Sequence, residues 1–199
     1  MTLAYKQFEE AFKLLNGRLA LAGAPPYRLV VCGGTALLAM GLATRVTRDV
    51  DIVALADNEG VLVDPAPLPE PLVKEADEVQ GDLELPDNWL NNGPSSGDGG
   101  LFRLGLPPGF AERLSWQSFG ENLSVGFISR IDQIHFKLYA AVDQFGGYHA
   151  DDLHSLNPTD EEILTAVAWT RTHDPSKGYL ASLKRFLQEF DYEHLVNRI

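Results

Sequence analysis

The sequence predicts an α/β (α+β) fold, in which a small mixed β-sheet with flanking helices is followed by a helical C-terminal part. Three observations lead to this prediction. Short β-rich runs alternate with helical patterns early in the chain, a Gly-Gly turn separates the first strand from a helix, and helical periodicity dominates after residue 130. The 199 residues suit one sizeable domain, or a small domain with a helical appendage. We divide the chain into an α/β core over 1–129 and a helical part over 130–199, with a single domain as the alternative.

Hydrophobic periodicity, and the residues that interrupt it, give the predicted elements. Apolar residues spaced three or four apart predict helices, whereas short apolar or alternating runs predict strands. Helices are predicted over residues 3–22, 35–43, 69–80, 130–145, 160–173 and 177–195, and strands over 27–33, 48–56 and 121–129. Two stretches rich in turn-forming residues, 57–68 and 91–100, are predicted loops, the second of them either a mobile flap or a surface excursion. Thr159 and Glu162 form the pattern of a capping box at a helix start.

Composition and charge narrow the functional classes. A single cysteine, Cys32, cannot form an internal disulfide, which favours a reducing, cytoplasmic location. No apolar run reaches about 18 residues, and the N-terminus predicts an amphipathic helix and not a signal peptide, so no membrane partner is expected. The net charge of −12 argues against broad nucleic-acid binding. A local basic pocket is still compatible with the sequence, because residues 1–50 carry six Lys or Arg against three acids.

The most informative segment contains two aspartates that flank a single valine. Residues i and i+2 of an extended strand project to the same side, so Asp49 and Asp51 are predicted on one face, with Val50 and Ile52 on the other. Two adjacent carboxylates repel each other and favour a bound cation. Hard oxygen ligands of this kind suit Mg²⁺ or Mn²⁺.

A second feature precedes the aspartates. Gly33 and Gly34 lie between a predicted strand and a predicted helix, where backbone N–H groups at the positive end of the helix dipole suit a phosphate. A Gly-Gly turn alone, or two aspartates alone, is a weak signal. Their combination favours a metal-dependent phosphoryl-transfer or nucleotidyl-transfer site.

The segment GGTALLAMGLATRVTRDVDI (33–52) resembles the nucleotidyltransferase superfamily typified by DNA polymerase beta. The signature of that superfamily is a hydrophobic residue, Gly-Gly or Gly-Ser, a helix, and then Asp-x-Asp or Asp-x-Glu. The sequence is most similar to a small bacterial branch that includes the abortive-infection type toxin nucleotidyltransferases and related uncharacterised proteins. Three downstream patches resemble the same branch: PDNWLN (86–91), IDQIHFKLYAAVDQ with Lys137, and HADDLHSL with Asp152. The resemblance covers roughly residues 28–170.

The resemblance implies a role for each matching residue. The nucleotide triphosphate would be held by Gly33, Gly34, Thr35 and Arg48, and the catalytic residues would be Asp49, Asp51, Lys137 and Asp152. Asp49 and Asp51 would bind Mg²⁺ (or Mn²⁺), Lys137 would contact phosphate, and Asp152 would orient Lys137 or the acceptor. The implied reaction moves an NMP from an NTP to a hydroxyl on a tRNA, a protein or a small molecule. Such proteins often belong to toxin–antitoxin or phage-defence modules, which makes an antitoxin protein a possible partner.

The sequence departs from the superfamily pattern on the third predicted strand, where a further carboxylate is expected. The residues there that could face the site are Asn122, Ser124 and Gly126, and none is acidic. This departure keeps open a nucleotide-binding or partner-binding module of the same fold without catalysis. A structural interaction protein is a third interpretation.

Several of the candidate residues also have a simpler interpretation. Arg45 and Arg48 could pair with the nearby aspartates, Lys137 could be a surface lysine that extends its ammonium to solvent, and Asp152 could be an N-terminal charge on a short helix. The histidines form no zinc motif, and Cys32 is predicted to be a buried, inert thiol. Trp89, Trp116 and Trp169 are predicted to lie in the core or in an interface.

Overall fold

The structure, a computed structural model, describes residues 5–42 and 47–199. The chain divides into two compact units, Met1–Ser129 and Arg130–Ile199, and this division falls between the same two residues as the sequence-based one. The first unit contains a mixed sheet with helices, and the second unit is helical. The predicted α+β fold class is confirmed.

The first unit alternates helices and strands along the chain. Its helices are α1 (Tyr5–Leu21), α2 (Gly33–Ala39), α3 (Glu70–Leu83) and α4 (Leu101–Leu104), with 3₁₀ turns at Gly93–Ser95 and Ala111–Arg113. Its strands are β1 (Tyr27–Cys32), β2 (Val50–Ala56), β3 (Leu62–Val63), β4 (Leu90–Asn91), β5 (Ser115–Ser118) and β6 (Leu123–Phe127).

The strands form one sheet, which within the described residues has six strands in the order β3-β2-β1-β6-β5, with β4 also paired to β2. The central strand β1 runs antiparallel to β2 and parallel to β6. Its register against β2 shifts after Val30. Val30 pairs with Ala54, but the next residue, Val31, pairs with Ile52, so β2 has one residue more than β1 between these two pairs. Because of this bulge, Cys32 at the end of β1 lies opposite Asp51.

Helix α1 supplies much of the apolar cover of the first unit, as its periodicity predicts. Phe8, Phe12, Leu15 and Leu19 are fully buried. The ring of Phe12 packs against Phe119 with the ring centroids 4.9 Å apart. The spacing of these residues therefore identified the buried face of the helix correctly.

Several parts of the first unit differ from the sequence prediction: β4 and α4 were not predicted, and the helix predicted over 35–43 is α2, which ends at Ala39. The predicted loop 57–68 contains the short strand β3, and the four-residue strand β5 was not predicted. The predicted loop 91–100 is not a simple surface excursion. Ser95 within it is fully buried, and its hydroxyl donates a 2.7 Å hydrogen bond to the carbonyl of Val53. That hydrogen bond ties the segment to β2.

The second unit consists of α5 (Arg130–Asp143), α6 (Tyr148–Ser155), α7 (Asp160–His173) and α8 (Lys177–Glu189), followed by a 3₁₀ segment at Glu193–Arg198. The helix predicted over 177–195 therefore ends earlier, at Glu189. No helix within residues 5–42 and 47–199 combines the length and apolar character needed to cross a lipid bilayer.

Glu162 joins three helices of the second unit. The predicted capping box is confirmed, because the Thr159 hydroxyl accepts from the Glu162 N–H and the Glu162 carboxylate accepts from the Thr159 N–H. The same carboxylate accepts two hydrogen bonds from the Arg130 guanidinium, at 2.6 and 3.0 Å. Arg130 also donates to the carbonyl of Leu156 at the end of α6. The hydrogen bonds from Arg130 lower the pKa of the Glu162 carboxyl.

We expect Glu162→Gln to destabilise the second unit by roughly 1 to 2 kcal/mol at neutral pH, since glutamine keeps a cap acceptor but loses the ion pair. A carboxyl whose pKa is lowered on folding stabilises the fold above its unfolded-state pKa, and this stabilisation is lost as the pH falls through the folded-state pKa. The difference from wild type should therefore shrink below a pH of about 4. Urea unfolding at pH 7 and pH 3 measures it. Glu189→Gln, which breaks an exposed pair with Arg185, is the matched control and should change little; equal effects of the two variants would contradict the role given to Glu162.

Candidate functional site

The turn between β1 and α2 brings a glycine against a carboxylate. Gly33 has a φ of +68°, a left-handed conformation that favours glycine. A Cβ atom placed on Gly33 would lie 2.5 Å from Oδ2 of Asp51. The register of β1 and β2 explains this contact, because Asp51 lies opposite Cys32, the residue before Gly33. The Gly-Gly turn and the second aspartate are thus in direct contact.

Asp49 is held in the same place by two threonines. The hydroxyl of Thr35 donates a 2.6 Å hydrogen bond to the backbone carbonyl of Asp49, and the hydroxyl of Thr47 donates a 3.0 Å hydrogen bond to Oδ1 of Asp49. Thr47 in turn packs on the second glycine of the turn, where a Cβ on Gly34 would lie 2.6 Å from the Cβ of Thr47. Because Thr35 is fully buried and its hydroxyl donates to the carbonyl of Asp49, Thr35 positions Asp49.

The two aspartates differ in exposure from their apolar neighbours. Val50 and Ile52 are fully buried, whereas Asp49 and Asp51 are half-buried. This alternation is the one that the sequence predicted. Both aspartates are therefore partly accessible to solvent.

A polar residue that the sequence analysis missed lies beside Asp51. Strand β4 pairs in parallel with β2, and Asn91 is the partner of Asp51 in that register. Paired residues of neighbouring strands share a face of the sheet, so the amide of Asn91 lies on the side of Asp51 away from Gly33. Its Oδ1 accepts a 2.8 Å hydrogen bond from the N–H of Gly93, which fixes its orientation. Asn91 is the last residue of the pattern PDNWLN (86–91), whose resemblance to the nucleotidyltransferase branch was the sequence signal that could have identified it.

Arg48 lies between Thr47 and Asp49 and is exposed. It forms no ion pair or hydrogen bond with any residue in the part of the chain that the structure describes. The alternative that Arg48 pairs with the nearby aspartates is therefore not observed there. Its guanidinium remains available to an anionic ligand. Arg45, the other arginine considered for phosphate, lies outside the described residues.

No acidic residue of β6 joins the aspartate pair. Ser124 and Gly126 pair with Arg28 and Val30 of β1, and the backbone of Gly126 is covered by the ring of Trp116. Asn122 precedes the strand, and its amide donates to the carbonyl of Ala24. Among the described residues, no group of three or more His, Cys, Asp or Glu side chains converges.

The donor set of this constellation, which we call the Asp49–Asp51 site (Gly33, Gly34, Thr35, Thr47, Asp49, Asp51 and Asn91), fits a small, hard cation. It offers two half-exposed carboxylates and an amide side chain, all with oxygen donors. Mg²⁺ is commonly bound by one or two carboxylates together with substrate phosphates and water. Asp49 and Asp51 would be its protein ligands.

Lys137 and Asp152 form a buried ion pair within the second unit. The Nζ of Lys137 donates to Oδ2 of Asp152 over 2.7 Å, and the two residues are only 5% and 2% exposed. The ring of Tyr148 lies 5.8 Å from the same Nζ. Lys137 is therefore not a surface lysine that reaches into solvent. An isolated buried charge would be costly, so each of the two groups depends on the other.

The cysteine and the three tryptophans that the sequence singled out lie mostly in the core. Cys32 is buried, as predicted, and its sulfur is not part of a disulfide. Trp89 and Trp169 are 1% and 6% exposed, in agreement with a core position, whereas Trp116 is 37% exposed. Trp116 is therefore not a core residue, which leaves the interface position as the prediction for it.

Comparison of the chain with protein-family models, curated proteins and solved structures finds no match.

The contact between Gly34 and Thr47 gives a testable consequence for the site. We expect Gly34→Ala to destabilise the protein by about 1 to 3 kcal/mol, because the new methyl group overlaps the Thr47 side chain. Thr47→Gly removes that overlap, so the double variant should be more stable than the sum of the single effects by at least about 1 kcal/mol. Denaturant unfolding measures this coupling. Gly17→Ala in α1, where an added Cβ meets nothing within 4 Å, is the control and should be neutral or stabilising. Additive effects of Gly34→Ala and Thr47→Gly on the free energy of unfolding would contradict the contact between these two residues.

A second double-variant cycle addresses the buried pair. Lys137→Met and Asp152→Asn should each cost about 3 to 5 kcal/mol, because each leaves a buried charge without its partner. The double variant carries no charge there and should recover a large part of that loss. Thermal or urea unfolding provides the measurement, with Lys13→Met, which removes an exposed pair with Glu9, as the control. If the single variants were as mild as this control, the pair would not be mutually dependent.

Proposed function

We propose that this chain is a divalent-metal-dependent nucleotidyltransferase that moves an NMP from an NTP to a hydroxyl acceptor. The observation that carries the proposal is the contact between Asp51 and Gly33. It joins the two halves of the motif, a pair of carboxylates and a Gly-Gly turn, into one constellation. The hydrogen bond from Thr35 to Asp49 supports the same arrangement from the other aspartate.

The proposed reaction needs a site that tolerates the charge of a triphosphate. The acceptor oxygen attacks the α-phosphorus, its proton passes to solvent water, and pyrophosphate leaves with the electrons of the bond between the α-phosphorus and the bridging oxygen. Mg²⁺ bound by Asp49 and Asp51 would neutralise phosphate charge and assist deprotonation of the acceptor hydroxyl. Arg48 is an exposed cation beside this pair and would bind a phosphate group. The missing Cβ atoms of Gly33 and Gly34 make room for Asp51 and Thr47, so the turn would offer the phosphates its backbone N–H groups.

The roles of Lys137 and Asp152 rest on the sequence resemblance, and their buried pairing fits the proposal that Asp152 orients Lys137.

The overall charge of −12 makes a protein or a small molecule a more favourable acceptor than a large RNA. A toxin–antitoxin or phage-defence setting, with an antitoxin as partner, belongs to the same proposal.

A second candidate is a nucleotide-binding or partner-binding module that has lost catalysis. One observation favours it: β6 offers Ser124 and Gly126 where a further carboxylate is expected, and no third acidic group joins the pair within residues 5–42 and 47–199. Both candidates expect an NTP to stabilise the protein in the presence of Mg²⁺. Only the enzyme releases pyrophosphate.

We expect label transfer and pyrophosphate release when the protein is incubated with Mg²⁺, α-phosphate-labelled NTPs and a mixture of tRNA and cell lysate. Asp49→Asn and Asp51→Asn should each reduce turnover by at least about 100-fold, because each removes a charged oxygen ligand of the metal. Four separate incubations, one for each NTP, identify the base.

Asp77→Asn is the matched control, since Asp77 is an exposed aspartate on α3 and the substitution is the same. It should transfer label like wild type. Metal-dependent stabilisation by NTP without any turnover in wild type would support the non-catalytic module. The absence of both responses would reject nucleotide chemistry altogether and favour a structural interaction protein.

A further inference from the structure

An arginine and a tryptophan lie on the same face of the sheet as Asp51. Trp116 of β5 pairs with Gly126 of β6, which pairs with Val30 of β1. Residues 28, 30 and 32 of β1 share one face, and Cys32 pairs with Asp51. Arg28, Trp116 and Asp51 therefore project to a common side of the sheet.

Arg28 and Trp116 form a stacked pair on this face. The central carbon of the Arg28 guanidinium lies 4.3 Å from the centroid of the Trp116 ring. The indole itself lies on Gly126, where an added Cβ would be 3.1 Å from three ring atoms. A larger residue at position 126 would push the indole away, so the glycine allows the ring to lie close to the sheet. The carbonyl of Asp57 accepts a 3.1 Å hydrogen bond from Nη1 of Arg28 and fixes the guanidinium.

Arg28 differs from most arginines of this acidic chain. Five others pair with carboxylates: Arg18, Arg103, Arg130, Arg185 and Arg198. Within the described residues Arg28 forms no ion pair, and its one hydrogen bond goes to a backbone carbonyl. A half-buried guanidinium plane without a carboxylate, held over an indole, is suited to the planar part of an anionic ligand.

We infer that the Arg28 guanidinium, backed by the Trp116 ring, stacks on the base of the nucleotide whose phosphates occupy the Asp49–Asp51 site. This inference rests on the proposed function and adds a second half to the same binding site. Bases stack on aromatic rings and on guanidinium planes, and every base offers such a face. We call this pair the Arg28–Trp116 platform.

The spacing on the sheet fits a single nucleotide. Trp116 and Asp51 are separated by three strand-to-strand steps, about 14 Å, and by two residues along β1, about 7 Å, which places them roughly 16 Å apart on this face. This separation is comparable with the reach of an extended nucleoside triphosphate from its base to its terminal phosphate. One molecule that contacts both would pass over the buried residues Val30 and Cys32.

Tryptophan fluorescence provides a direct test, because Trp116 is 37% exposed while Trp89 and Trp169 are almost fully buried. We expect the nucleoside and the NTP of the preferred base to quench the emission of wild type, and inorganic tripolyphosphate to bind without that quenching. In Trp116→Phe the quenching should disappear. Trp116→Ala should bind the NTP about 10-fold more weakly, measured by calorimetry, and tripolyphosphate with unchanged affinity.

Arg28→Ala should weaken NTP binding by a similar factor. Arg185→Ala is the matched control, since Arg185 also stacks on an aromatic ring, that of Phe145 at 4.1 Å, but in the second unit. It should bind NTP like wild type. Urea unfolding of each variant establishes that a loss of binding is not a loss of folding.

The two proposals fail in different ways. If Trp116→Ala and Arg28→Ala bind NTP as tightly as wild type while label transfer continues, the platform is wrong and the proposed function stands. If nucleosides quench Trp116 but tripolyphosphate does not bind and no pyrophosphate is released, the platform is supported as a base site and the proposed transferase is wrong.

Discussion

The register between β1 and β2 is the constraint on which the candidate site depends. A one-residue slip in a β-sheet moves every side chain of a strand to the opposite face. The bulge after Val30 sets the pairing of Cys32 with Asp51, and this pairing brings the carboxylate of Asp51 against the positive-φ glycine at position 33. With another register, Asp51 would exchange places with Ile52, and a charge would enter the apolar side of the sheet. The burial of Ile52 thus protects the geometry of the site.

Two acidic positions of the chain illustrate opposite electrostatic arrangements. Asp152 is buried and is neutralised by Lys137 at 2.7 Å, so it needs no external cation. Asp49 and Asp51 are half-buried; the Thr47 hydroxyl donates a hydrogen bond to Asp49, and Asn91 is the register partner of Asp51. A cation between two carboxylates lowers their mutual repulsion, so under the proposed function a divalent ion would bind at this pair and not at the buried one.

Local patterns predicted those parts of the fold that depend on local interactions. The apolar spacing of α1, the strand–turn–helix at Gly33 and the capping box at Thr159 each have a short-range physical cause, and each was predicted. Strand β5 was missed because three of its four residues are exposed and it shows no hydrophobic alternation. Asn91 was missed because its proximity to Asp51 arises from pairing between residues 40 positions apart, which no local pattern encodes. The burial of Lys137 was likewise beyond the helix pattern, since it requires a partner on a different helix.

The distribution of charge refines what the net charge of −12 means. In the described residues, most arginines form ion pairs with carboxylates, which neutralise their charge. An example is Arg18, which pairs with Glu75, Glu78 and Asp82. Arg28 and Arg48 form no such pair, and both belong to the first unit, which also carries the aspartate site. A polyanion that spans much of the surface would meet the acidic excess, whereas a compact anion needs only these two cations and a bound metal ion. Under the proposed function, the electrostatics therefore favour a small, multiply charged ligand of the size of a nucleotide over a long nucleic acid.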